Sequence, residues 1–235
     1  MKLKKIASLA LAGIMAVSML AGCKDGGNSN SGSSSSENTD TVTGYSASVQ
    51  AKLSNTAQKK VALSDSADLN SALQAAMEYV ANSNIAKWYD ASSVASVKQV
   101  VDNSASVYAS NDQLVSAAQH LINTMDAENT VYNNVFAALT STLNPTTTNY
   151  NEKELNATFL FVVDGGKGAN AVMKEVADLM NSGIEALNEH YEDAAKNVRA
   201  DYEYTGSVSA YTKTLTEDHG KSVAFIAVNV AREIV

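Results

Sequence analysis

From Tyr45 to Asp164, 120 consecutive residues, the chain has no glycine, and Pro145 is its only proline. Glycine and proline punctuate or break regular elements, so a stretch without them favours helices. Hydrophobic residues are 45% of the 235, enough to build a core and to exclude wholesale disorder. Periodicity agrees. Leu69, Leu73, Ala76, Met77 and Val80 recur at helical spacing behind Ser66, a suitable N-cap. Val94, Val97, Val101, Ala105 and Tyr108 predict a second helix. Ser110, three before Gln113, forms a capping box that opens a third through Leu114, Ala118, Leu121, Ile122 and Met125. Val131, Val135, Ala138, Leu139 and Leu143 predict a fourth, stopped by Asn144-Pro145. A weaker helix through Val49, Leu53 and Ala57 precedes them, and the frequent alanine lets such helices approach closely.

The pattern then changes. Ala157 to Val163 is apolar on both faces, the mark of a buried central strand, and so is most of Ser222 to Ile234. Gly165 to Gly168 is a glycine loop leading into an amphipathic helix through Ala171, Val172, Val176, Leu179, Met180, Ile184 and Leu187. Val198, Ala200, Tyr202 and Tyr204 alternate with polar residues, as in a half-buried strand. Gly206-Ser207 suits a two-residue type II′ turn, which would place Tyr202 opposite Tyr211 and Val198 opposite Leu215. Those tyrosines are then expected under the helical layer. Asp218 to Lys221 predicts a further turn. Strands buried on both faces need a layer above and below. The expectation is therefore one α/β (α+β) body over residues 45–235. An Ala-rich helical layer (45–150) would be followed by a β-α-β-β part (151–235), a small mixed sheet of three to four strands with a helix on its other face.

The amino terminus is an address rather than part of that body. Lys2, Lys4 and Lys5 form a positive region ahead of Ile6 to Leu20, an apolar run too short to span a bilayer, which takes about 20 residues. The run ends in Leu20-Ala21-Gly22-Cys23. These four residues resemble the lipobox of bacterial lipoprotein precursors, a resemblance confined to the leader. It implies a signal peptide over 1–22, a diacylglyceryl group on Cys23, cleavage before it, and a body facing out of the cytoplasm. A second acyl chain turns marginal membrane binding into stable anchoring. Cleavage removes three lysines, leaving 14 basic against 25 acidic residues, so the net charge moves from −8 to −11. From Lys24 to Gly44 the only large apolar residue is Val42, so residues 23–44 are expected as a lipidated cysteine and a disordered tether. Its 21 residues have a root-mean-square span of roughly 25 Å.

Composition limits the chemistry. The acidic balance lacks the basic face that nucleic acid requires. One cysteine excludes a disulfide framework and a Cys-cluster zinc site. His120, His190 and His219 are scattered with no i, i+4 pair, so no metal centre is expected. Glu185, Glu189, His190, Glu192 and Asp193 read as the solvated acidic end of a helix. There is no Gly-x-Ser-x-Gly elbow, Ser-x-x-Lys pair or free thiol, and Asp218 and His219 are sequence neighbours that point apart, so no catalytic residue is assigned. Two weaker binding candidates stand out. Gly166, Lys167 and Gly168 sit between strand and helix, where backbone N–H groups and a lysine can hold an anion. The competing reading is a turn that needs glycine at positive φ. Walker spacing and a ribose-binding acid are both missing, and no cofactor is expected. Trp88 and Tyr89, after Asn82-Ser83-Asn84, offer rings for a glycan or protein contact, or a plug between helices.

The functional expectation is a membrane-anchored extracytoplasmic lipoprotein with a non-enzymatic binding or scaffolding role. Its partners would be the membrane, through Cys23, and a protein or glycan. Alternatives are a solute- or glycan-binding lipoprotein serving a transporter, and an extracytoplasmic hydrolase.

Overall fold

The computed structural model describes residues 44–80, 95–101, 112–125, 136, 139–214 and 222–235. The leader, Cys23 and the tether up to Thr43, Trp88, Tyr89, Val94, Ala105, Tyr108, Ser110, Val131, Val135, Ala138 and the Asp218–Lys221 turn lie outside the described residues. Tyr45–Val235 forms one compact unit.

The class is mixed α/β, and the sheet is larger than expected: six strands instead of three or four. In chain order the elements are helices α1 (Tyr45–Gln50) and α2 (Asn55–Lys60), strand β1 (Val61–Leu63), α3 (Ala67–Met77) and β2 (Lys98–Gln99). Then come α4 (Asp112–Thr124), α5 (Leu139–Leu143), β3 (Glu154–Asp164), α6 (Ala169–Glu185), β4 (His190–Asp193), β5 (Val198–Thr214) and β6 (Ser222–Ile234). The strand order is β1-β5-β6-β3-β2, with β4 paired to β5 off that path. Only β1 runs parallel to its neighbour.

The centre is where the sequence places it. β3 and β6 pair from Glu154 with Glu233 to Asp164 with Val223, and successive side chains go to opposite faces. Phe159, Phe161 and Val163 pack with Ile226, Val228 and Val230 against α1, α2, α5 and α6. Leu160, Val162, Val223, Phe225 and Ala227 pack against α3 and α4. The helices of the N-terminal half thus divide between both faces and do not form one layer. The apolar stripe of α6 is Val172, Met173, Val176, Ala177, Met180 and Ile184, whereas Leu179 is 42% exposed. Ser66 caps α3 as expected, accepting the Leu69 N–H at 3.1 Å.

Four local expectations fail, three of them because tertiary pairing outweighs a local signal. In the described part (95–101) of the helix expected through Val94, Val97, Val101, Ala105 and Tyr108 lies strand β2, where Lys98 pairs with Val162 and Val100 N–H donates to Leu160 O at 2.8 Å. Val97, Val100 and Val101 are β-branched and suit extended backbone, and Lys98, Gln99 and Val100 supply partners to the outer backbone groups of β3. The helix through Val49, Leu53 and Ala57 is two short helices, because Ser54 starts α2 by accepting the Ala57 N–H at 3.1 Å. The turn at Gly206-Ser207 does not form. β5 runs straight through it, so Tyr202 pairs with Ile234, Tyr211 with Phe225, and Val198 with Asp193. Gly206 is needed for close approach: a Cβ there would lie 2.8 Å from both Asn229 O and Leu63 Cδ2. An unbroken strand also puts Tyr202 and Tyr204 on the face opposite Tyr211. Finally, the acidic stretch after Glu185 is no helix end, because His190–Asp193 is strand β4 on the β5 edge.

Candidate functional site

The glycine loop between β3 and α6 has a closed internal geometry. Gly165 N–H donates to Ser222 O at 2.8 Å, Gly166 N–H to the Asp164 carboxylate at 2.9 Å, and Lys167 N–H to Asp164 O at 3.1 Å. Gly168 is the N-cap of α6 at φ −55° and supplies no side-chain cap. None of these glycines has the positive φ expected of them; among the described glycines only Gly44 does so. The close approach falls on Gly165, where a Cβ would clash with Ser222 Oγ and lie 2.9 Å from Ser222 C. Gly168 has open space around it.

Lys167 is engaged within the protein. Its ammonium pairs with Glu175 on α6 and donates to Ala95 O at 2.7 Å, while Glu175 also accepts the Val97 N–H at 2.9 Å. Burial raises the Glu175 pKa, but the Lys167 hydrogen bond and the Val97 N–H outweigh it and hold the carboxyl below its ordinary range. The trio fastens the segment entering β2 to the start of α6.

The other titratable groups are dispersed. His190 Nδ1 lies 2.6 Å from Asp201 on the neighbouring strand, and that hydrogen bond, aided by Arg199, keeps Asp201 below the usual carboxylate range. His120 lies against the Tyr79 ring at 4.7 Å between centroids. Among the described residues no group of three or more His, Cys, Asp or Glu is placed to hold a metal ion, and no helix is long and apolar enough to cross a membrane.

Register creates a feature that periodicity does not reveal. On the α3/α4 face, each step along β5, β6 and β3 forms a row of three side chains. Tyr211, Phe225 and Val162 make an apolar row, and Ser209, Ala227 and Leu160 follow. The next row is polar and buried: Ser207 (6% exposed), Asn229 (6%) and Thr158 (0%). Asn229 Nδ2 donates to Thr158 Oγ1 at 2.9 Å. Beyond it come Thr205, Ala231 and Asn156, then three glutamates side by side, Glu203, Glu233 and Glu154, all exposed along with Thr205. One face therefore grades from an apolar half under two helices to a polar half ending in carboxylates. The signal that finds it is Asn229, the lone amide in a run otherwise apolar on both faces.

On the opposite face Arg232 is fully buried, and among the described residues it makes no salt bridge. Its fork donates to Leu143 O at 2.8 Å and Asn149 O at 2.6 Å, and the guanidinium lies 4.6 Å from the Tyr202 ring centroid. Burial lowers its pKa, against the opposing pull of Tyr202, Tyr204 and Glu152. Tyr202 donates to Tyr150 O and Tyr204 to Asn188 O, both at 2.7 Å. This group seats the chain from Asn144 to Lys153 on the end of the sheet.

Comparison with protein-family models, curated proteins and solved structures finds no match to this chain.

Proposed function

We propose that this chain is a lipid-anchored lipoprotein facing out of the cytoplasm, whose body binds or scaffolds rather than catalyses. The leader ending in Leu20-Ala21-Gly22-Cys23 supports the anchor. One observation carries the binding role: the sheet face whose polar half presents Thr205, Asn156 and the Glu203–Glu233–Glu154 row beside the buried Ser207–Asn229–Thr158 row. Hydroxyls, amides and carboxylates at fixed strand spacing suit a polar ligand, which also favours the second reading, a glycan- or solute-binding lipoprotein. An anion at Gly166, Lys167 and Gly168 would have to compete with the Glu175 carboxylate for Lys167. Cys23→Ser tests the anchor, and the variant is expected to leave the membrane fraction or to accumulate as the uncleaved chain. Normal maturation with unchanged membrane fractionation sinks the reading.

A further inference from the structure

The glutamate row at the end of the sheet has no cation of its own. Glu203, Glu233 and Glu154 stand opposite one another on three adjacent strands about 4.8 Å apart, and like charges so placed oppose folding. All three are exposed, and among the described residues none makes a salt bridge; Glu154 only accepts the Asn156 amide at 2.9 Å. They are not placed to hold a metal ion. A second observation lies two rows further along the same face. Ser207 and Asn229 are each only 6% exposed. Asn229 gives its amide nitrogen to Thr158, which leaves its carbonyl oxygen unpartnered, and the Ser207 hydroxyl makes no hydrogen bond among the described residues. Alternation turns both side chains onto the face that carries Thr205 and the glutamates. Between these rows the floor is the Ala231 methyl, flanked by Thr205 and Asn156 and only 7% exposed. The low centre makes a shallow trough, with unmade hydrogen bonds at one end and unpaired carboxylates about 13 Å away at the other.

We propose that this trough binds an amino-sugar chain, an oligosaccharide with protonated amines. The inference rests on the reading of the polar half of the sheet as a ligand surface. The carboxylates call for a cation, and their placement makes it an organic one. Ammonium groups there form charge-assisted hydrogen bonds and relieve the repulsion along the row. The Ser207 and Thr205 hydroxyls and the Asn229 carbonyl suit the hydroxyls of a sugar, which carries donors and acceptors around its whole edge. A basic peptide fits less well. The backbones of β5, β6 and β3 are already paired with one another along these rows, so an extended peptide gains no ladder, and the Ala231 floor offers its side chains no pocket. A short chain, rather than a single sugar, reaches both ends of the trough. The formal net charge of −8 draws such a cation toward the body from a distance.

The test is titration calorimetry on the full-length chain in mild detergent, at a pH where carboxylates are ionised and amines protonated. The probes are the trimer of glucosamine, the trimer of N-acetylglucosamine, and spermidine, which has the charge without the hydroxyls. The glucosamine trimer is expected to bind saturably and about tenfold or more tighter than either of the others. Added salt should weaken it. Glu233→Gln should weaken it about fivefold or more, whereas Glu192→Gln, exposed on β4 and off this face, should leave it unchanged. Equal binding of the two trimers overturns the inference and leaves the glycan reading of the face standing. Spermidine binding as tightly as the glucosamine trimer overturns it in favour of bare acidic attraction, and so does a Glu233→Gln variant that binds like the parent. Failure of both trimers to bind overturns the inference and the glycan reading together.

Discussion

Ser46 and Val208, 162 residues apart, are joined by one hydroxyl that accepts the Val208 N–H at 2.9 Å and donates to the Val208 carbonyl at 3.3 Å. One turn further along α1, the Gln50 amide accepts the Leu63 N–H at 2.9 Å and donates to Val61 O at 3.3 Å. Each side chain makes the two bonds that a neighbouring strand would make. Helix α1 thus closes the sheet where β1 and the middle of β5 would otherwise end in bare backbone.

Removing that closure should be costly, because Ser46 is fully buried. Ser46→Ala strands one N–H and one C=O away from water, and each unsatisfied buried group costs about 1–3 kcal/mol. Urea unfolding of the full chain is expected to show a loss of about 2 kcal/mol or more with little change in m-value. A loss below about 0.5 kcal/mol, the scatter of neutral surface changes, would mean that water replaces the hydroxyl.

The glycine loop offers a pair of substitutions with opposite signs. Gly165→Ala drives a methyl group into Ser222 and should destabilise by about 1–3 kcal/mol. Gly168→Ser meets open space at φ −55° and ψ 137°, and adds the missing side-chain cap to α6. It should stabilise by a few tenths of a kcal/mol. Two melting curves check both, and equal effects would refute the geometric distinction.

Glu175 titrates below its ordinary range in the folded chain. A folded-state pKa that is depressed contributes stability above the unfolded value, and that contribution fades as pH falls through the folded one. The stability gap between the wild-type chain and Glu175→Gln should therefore be constant at neutral pH and shrink in acid. It should be about 1 kcal/mol or less, since both members of the Lys167 pair are partly open to water. A gap that widens in acid would be the wrong sign.

At Arg232 two effects compete. The guanidinium reaches two carbonyls and a ring, yet its charge is held out of water with no salt bridge among the described residues. Arg232→Lys keeps the charge and loses the planar fork, whereas Arg232→Met removes the charge while keeping apolar volume. The lysine variant should be the less stable by about 1 kcal/mol or more, and both should speed hydrogen exchange over residues 144–152. The reverse order of stabilities would show that the charge itself holds this segment.

What was legible in the chain depends on how far each signal reaches. β3 and β6 show themselves because Ala157–Val163 and Val223–Val230 are mostly apolar on both faces, and Ser66 because a cap acts over three residues. Gly206 misleads because a glycine serving a distant backbone, here Asn229 O, looks the same in sequence as a glycine in a turn. Val97 and Val101 fit a helix stripe and a strand equally, and only the unfilled edge of β3 decides between them. The polar row is illegible for a different reason. Ser207, Asn229 and Thr158 become neighbours only when the register of three strands is known. Ser46, Gln50 and Arg232 act through pairs of bonds to remote backbone, which leave no periodic trace.

The bond between Ser46 and Val208 also orders events in time. Helix α1 and strand β1 are made early in synthesis, but Val208 and the residues that pair with Val61–Leu63 emerge almost last. Closing contacts over so long a loop slows folding. The amino-terminal segment must therefore wait without its partners until nearly the whole chain exists. A ribosome-bound chain truncated before Val198 would carry α1, β1 and half of a core in search of a sheet, a species suited to capture by chaperones.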